Sequence, residues 1–234
     1  MPPPWNHVAQ SLREVQARLA SATTAAGRAV DAVTLVVVGK TFPAAALRAA
    51  AACGQRHFGE NYVQEALAKQ SELADLDLVW HFIGPVQSNK TRDIAEHFDW
   101  VHGIEREKIA RRLSEQRPDR LSPLNVCIQV NVSGEASKSG VAPGEVAALA
   151  DLVSGLPRLK LRGLMAIPEP GGDAHARFRL LRELLHGLNA RGLALDTLSM
   201  GMSGDFETAI AEGATIVRVG SAIFGKRNYD GKQS

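Results

Sequence analysis

Residues 33–38, VTLVVV, form an unbroken aliphatic and β-branched run that ends at Gly39 and Lys40. A run without polar alternation suits a strand covered on both faces, as in a parallel sheet. Seven more short runs of strand character follow, at residues 57–59, 78–83, 100–104, 125–131, 161–167, 197–200 and 216–219. Helix-like stretches separate them, at about 44–53, 60–74, 88–98, 105–116, 143–154, 174–189 and 205–212. Eight strands alternating with helices predict an α/β fold, a single (β/α)8 TIM barrel. A doubly wound open sheet is the competitor, but it carries five or six strands and a glycine-rich turn after the first, which Gly39-Lys40-Thr41 is not.

Ahead of the first strand, Val8, Leu12, Val15, Leu19 and Ala22 recur at helical spacing. They predict an extra N-terminal helix over about residues 4–27, outside the repeat. Residues 226–234 read as a short tail, and 1–234 as one domain. Lys and Arg total 27 against 25 Asp and Glu, for a net charge of +2, and no basic block appears. Nucleic acid is therefore not an expected partner. No run approaches the ~18 apolar residues of a membrane span, and the N-terminus lacks the pattern of a signal peptide, so the expectation is a cytoplasmic protein. Cys53 and Cys127 stand far apart and read as small buried hydrophobes of a reducing compartment. With no sustained exposed apolar stripe, a monomer is expected.

The barrel supplies a placement test. Closure sets the end of strand eight beside Lys40, and such barrels commonly bind phosphate with the loops after strands seven and eight. Both loops have the required chemistry: Gly201-Met202-Ser203-Gly204-Asp205, and Arg218-Val219-Gly220-Ser221. Small residues let backbone amides approach an anion, and Ser203 and Ser221 add hydroxyls. Either serine alone reads as a helix N-cap; both together point to a phosphate site. A lysine beside a phosphate suggests a Schiff-base enzyme acting on a sugar phosphate, or pyridoxal 5′-phosphate held as an imine. Arg218 favours the second. It shares a strand side with Gly220, and a guanidinium can donate to a pyridine nitrogen without protonating it.

The segments VVVGKTFP, HFGENYVQEAL, WHFIGPVQSNK, QVNVSGEASKSG, GLMAIPEP and LSMGMSGDFETAIAEGATIVRVGSAIFG resemble the YggS/PROSC family of pyridoxal phosphate homeostasis proteins, from about Val33 to Arg227. The resemblance implies a fold-type III barrel similar to the N-terminal domain of alanine racemase. It also implies a cytoplasmic cofactor-binding protein without an established catalytic activity; the leading expectation is a carrier or regulator that holds pyridoxal 5′-phosphate on Lys40, limits the free aldehyde and hands it to apo-enzymes. By position in these motifs, Lys40 matches the lysine that forms the imine and Arg218 the arginine facing the pyridine ring. Ser203, Gly220 and Ser221 match the phosphate grip, and Asn61, His81 and Met200 residues lining the pocket. Gly39 stands where the family more often has serine, and Pro85 where another residue is usual. N-capping is an equal account of Asn61, and Lys138 in the polar SGEASKSG loop reads as a surface residue able to steer anions. The alternative is a small racemase using the same cofactor, for which Tyr62 is the nearest opposing base.

Overall fold

The computed structural model describes residues 5–134, 139–169 and 172–225; Lys138 and residues 226–234 lie outside them. Eight parallel strands close into one barrel. They are β1 (Thr34–Val38), β2 (His57–Glu60), β3 (Val79–Phe82), β4 (Trp100–Ile104), β5 (Leu124–Gln129), β6 (Leu159–Met165), β7 (Thr197–Ser199) and β8 (Ile216–Val219). Each strand pairs with the next, and β8 pairs with β1 along Thr34↔Ile216 to Val37↔Val219.

The helices are α1 (Val8–Ala25), α2 (Ala44–Ala52), α3 (Val63–Glu72), α4 (Thr91–His97), α5 (Glu107–Gln116), α6 (Val146–Ser154), α7 (Ala174–Ala190), α8 (Phe206–Ala211) and α9 (Ser221–Phe224). Outward strand residues such as Leu35, Val37, Phe58, Phe82, Val101, Val126, Leu198 and Val217 meet Leu47, Ile109, Leu113, Phe178, Leu181 and Phe206 in one buried apolar layer. At about 1.5–3 kcal/mol per buried large apolar side chain, this layer is the main stabilising term. Among the described residues no helix is long and apolar enough to cross a membrane.

Helix α1 lies across the seam where the barrel closes, packing on α2, α8 and α9 through Val8, Leu12, Val15 and Leu19. Arg28 fastens its end to the barrel, donating from Nη1 to Ala214 O at 2.7 Å and Ile210 O at 3.1 Å. Thr23, not Ala22, completes the buried stripe, because its hydroxyl is satisfied by Leu19 O at 2.8 Å.

Three expectations change. Residues 88–90 form a separate 3-10 turn ahead of α4, so neither Ser88 nor Asn89 caps that helix. Strand β6 begins two residues early, at Leu159. Its polar Lys160 and Arg162 sit at the open end of the barrel, where Arg162 reaches Asp196 and lies over the Trp100 ring. Cys53 is exposed at the end of α2, and only Cys127 is buried.

Candidate functional site

At the carboxyl ends of the strands a cavity of about 280 Å³ opens, lined by Val38, Lys40, Phe42, Asn61, Ile83, Ile167, Met202, Ser203, Gly204, Arg218, Gly220 and Ser221. It unites the two ends of the barrel sequence: Lys40 follows β1, Asn61 follows β2, and the remaining polar groups belong to β8 and the loops after β7 and β8.

Neither serine acts as a helix cap. Helix α8 is preceded by Asp205, whose Oδ1 accepts from the Met202 amide at 2.6 Å, and α9 by Gly220. Ser221 Oγ instead lies 3.2 Å from Ser203 Oγ, so both hydroxyls meet at one point of the cavity wall. Gly220 is required there: a Cβ would come within 3.0 Å of Val38 O, filling the gap between the last strand and the first. Asn61 does not cap α3 either, since Tyr62 holds that position without a side-chain cap. Its Oδ1 is buried with no partner among the described residues, an acceptor facing a cavity. Buried polar atoms are rarely left so, which marks a place where a donor belongs.

Arg218 is 3% exposed and points into the barrel. Its Nη1 donates to Ser199 Oγ at 2.7 Å and its Nη2 to Ala166 O at 2.9 Å. These are neutral acceptors rather than the salt bridge a barrel layer might supply. Burial pushes its pKa down to about 10, so it is still a cation at neutral pH.

Behind Arg218 runs a chain of imidazoles that the sequence reading did not anticipate. Ser199 Oγ is 2.7 Å from His102 Nδ1, His102 Nε2 is 2.9 Å from His81 Nδ1, and His81 Nε2 is 3.0 Å from His57 Nδ1. Arg218 has only donors, so Ser199 accepts from it and gives its own hydrogen to His102 Nδ1. That choice propagates: each imidazole then carries its hydrogen on Nε2 and donates to the next Nδ1. The reverse polarity would leave the buried Ser199 hydroxyl hydrogen without an acceptor in this chain. Burial, with like-charge repulsion from Arg218, lowers His102 to about 3, and His81 lies well below its ordinary value for the same leading reason. The chain is neutral at pH 7.

Of the residues singled out by sequence, Lys40, Asn61, Ser203, Arg218, Gly220 and Ser221 line one cavity; His81 and Met200 do not. His81 faces inward but lies one layer below the mouth, and Ile83, two residues on, takes the lining position. Met200 is fully buried among the apolar side chains outside the strands, because its neighbour Ser199 occupies the inward direction. Alternation from Arg218 and His81 would have reached Ile83; Ile167 and Met202 are loop residues without such a signal. Among the described residues no cluster of potential metal ligands occurs.

The sequence model of the family described as "Alanine racemase, N-terminal domain" matches residues 11–228. The pyridoxal phosphate homeostasis protein of Pseudomonas aeruginosa is 64% identical over 225 residues, covering 95% of this chain and 96% of its own. The protein of the same name from Escherichia coli K12 is 51% identical over 233 residues, covering 97% and 100%. PipY of Synechococcus elongatus, solved with PLP bound, superimposes with a TM-score of 0.82 at 40% identity, covering 93% of this chain and all of PipY. Alanine racemase of Corynebacterium glutamicum shares the fold, with a TM-score of 0.71 at 18% identity over 98% of this chain and 63% of the racemase. The chain belongs to the pyridoxal phosphate homeostasis proteins, a family built on the alanine racemase N-terminal domain.

Proposed function

We propose that the protein binds pyridoxal 5′-phosphate at the barrel mouth and acts as a carrier that limits the free aldehyde and hands it to apo-enzymes. One observation carries this reading: a single cavity brings together a lysine amine, a buried guanidinium and two facing hydroxyls on a glycine-lined loop. The residues fit the group. Ser203, Ser221 and the Gly220 gap suit its phosphate, Arg218 suits a ring nitrogen that stays unprotonated, and the unpartnered Asn61 Oδ1 suits a donor at the far edge. When bound, the cofactor supplies an aldehyde that captures amines and a ring that can withdraw electrons. Lys40 is the residue that holds that aldehyde, and Arg218, which keeps its proton, keeps the ring a weak electron sink. PLP bound in the similarly folded PipY, and the homeostasis names of close relatives, support the same assignment.

A carrier is favoured over a racemase because, among the described residues, the cavity lining offers no Tyr, Cys or His to oppose Lys40; Tyr62 is 58% exposed and outside it. Two unpaired cysteines suit the reducing cytoplasm. The large apolar side chains exposed among the described residues are Val30, Tyr62, Ile167 and Met202, too few for a permanent subunit interface, which suits a monomer. The test is the visible absorbance of protein soaked with pyridoxal 5′-phosphate, followed by borohydride reduction and peptide mass mapping. A reduced pyridoxyl group on Lys40 is expected. Wild-type protein that acquires neither band nor adduct refutes the reading, and exchange of amino-acid Cα hydrogen in heavy water would replace the carrier with an enzyme.

A further inference from the structure

Behind the cavity, on the outer side of β2, lies an ion cluster to which no function has been given. Lys69 of α3 is 4% exposed, and its ammonium donates to Glu60 Oε1 at 2.8 Å, to Glu65 Oε1 at 2.5 Å and to the backbone carbonyl of Gly39 at 2.7 Å. Glu65 Oε1 in turn accepts from the backbone amide of Thr41 at 2.6 Å. Gly39 and Thr41 are the two neighbours of Lys40. The cluster therefore grips the chain immediately before and after the lysine.

Two further observations show that this grip has consequences. Thr41 has φ +69°, the one positive φ at a non-glycine among the described residues, in a β-branched residue for which that region is unfavourable. A conformation of this kind persists only where the surroundings over-determine it, and here the surroundings are a charge-assisted bond to Glu65. Gly39 makes room for the cluster: a Cβ there would lie 2.6 Å from Glu60 Oε1 and 2.9 Å from Leu47 Cδ1. Glu60 is fully buried, and its Oε2 has no partner among the described residues. Burial raises its pKa to about 7 against the opposing pull of Lys69. A buried acid of that cost at the end of a strand is hard to explain by packing alone.

We propose that Glu65 and Lys69, backed by Glu60, are positioning residues for Lys40: by holding Gly39 O and Thr41 N–H they fix the backbone from which the lysine amine reaches the cavity. None of them lines that cavity, so they act through Lys40 alone. None of their hydrogen bonds among the described residues reaches the loops after β7 and β8. The proposal rests on the reading of Lys40 as the aldehyde-holding residue, but its first test does not.

The deciding variant is Glu65→Ala, since Glu65 is the partly exposed member of the cluster (side chain 29%) and its loss leaves Lys69 paired with Glu60. In ligand-free protein, amide hydrogen exchange at Thr41 is expected to speed up by about tenfold or more, the loss of one charge-assisted bond, while amides of β1 and β8 keep wild-type rates. Glu65→Gln, which retains an acceptor for that amide, restores most of the protection. In the second arm, affinity for pyridoxal 5′-phosphate falls by about tenfold, whereas pyridoxine 5′-phosphate, which has the phosphate and ring but no aldehyde, binds as to wild type. General damage would weaken both ligands. Unchanged Thr41 exchange, or equal losses for both ligands, overturns the proposal. If wild type fails to bind pyridoxal 5′-phosphate, the functional reading falls; the exchange arm then decides whether the backbone grip exists.

Discussion

The imidazole chain makes a specific forecast about acid stability. His102 titrates near 3 in the fold against 6.5 for an ordinary histidine. Between those values the unfolded chain binds more protons than the native one. The stabilising contribution is therefore complete above pH 6.5 and declines as pH falls toward 3, at about 1.4 kcal/mol per pH unit. His81, also held well below its ordinary value by burial, adds a second loss of the same sign. Glu60 opposes them: its value is raised from 4.5 to about 7, so the native state holds the extra proton and stability rises as pH falls through that window. From pH 6.5 to 4.5 the His102 loss and the Glu60 gain run at about the same 1.4 kcal/mol per pH unit and offset each other, so the net decline in this window is what His81 adds. Below pH 4.5 Glu60 ceases to compensate and the decline steepens. Urea unfolding at fixed pH steps measures this; at a slope of roughly 3 kcal/mol per M, the uncompensated His102 loss lowers the midpoint by about 0.5 M per pH unit below pH 4.5. His102→Gln removes one loss and should reduce the fall in stability on acidification from pH 6.5 by about 1.4 kcal/mol per pH unit. Glu60→Gln removes the gain and should steepen the decline between pH 6.5 and 4.5 by about the same amount. A His102→Gln protein with the wild-type pH dependence would refute the reasoning.

Other outcomes follow from packing and from the cavity. A Cβ at Gly163 would sit 1.8 Å from the backbone oxygen of Thr197, where β6 meets β7, so Gly163→Ala should cost more than about 3 kcal/mol by urea unfolding or fail to fold. Arg218→Met leaves Ser199 and the Ala166 carbonyl without their donor; it should lower Tm and weaken pyridoxal 5′-phosphate binding in absorbance titrations, with Arg218→Lys intermediate. Ser203→Ala with Ser221→Ala should reduce affinity for pyridoxine 5′-phosphate by about tenfold, read by calorimetry, without changing Thr41 amide exchange.

The architecture was legible because a buried parallel strand has a composition of its own: residues 33–38 and 216–219 announce themselves, and Lys40 and Gly220 meet by closure alone. Strand β6 was placed too late because Lys160 and Arg162 look foreign to a strand until the barrel's open lower rim gives them solvent and Asp196. The cavity was legible in its polar groups, which stand beside glycines at strand ends. Met200 and His81 were misplaced by a single layer or a single alternation, distinctions that motif position does not encode. The imidazole chain and the cluster around Lys69 were hidden for a deeper reason. The imidazoles and Ser199 come from β2, β3, β4 and β7, and nothing in their spacing says that they touch; in the cluster only Glu65 and Lys69 stand at helical i,i+4 spacing, which gives no sign of Glu60 on β2 or of the backbone beside Lys40.

The seam between β8 and β1 governs when the protein can first work. Lys40 stands far ahead of Arg218, Gly220 and Ser221 in the sequence, yet they belong to one cavity, because β1 and β8 are joined through four consecutive residue pairs. During synthesis, a chain still lacking β8 has Lys40 and Ser203 but neither Arg218 nor Ser221. Contacts this distant in sequence also form slowly. On the proposed reading, capture of the cofactor waits until β8 has closed against β1.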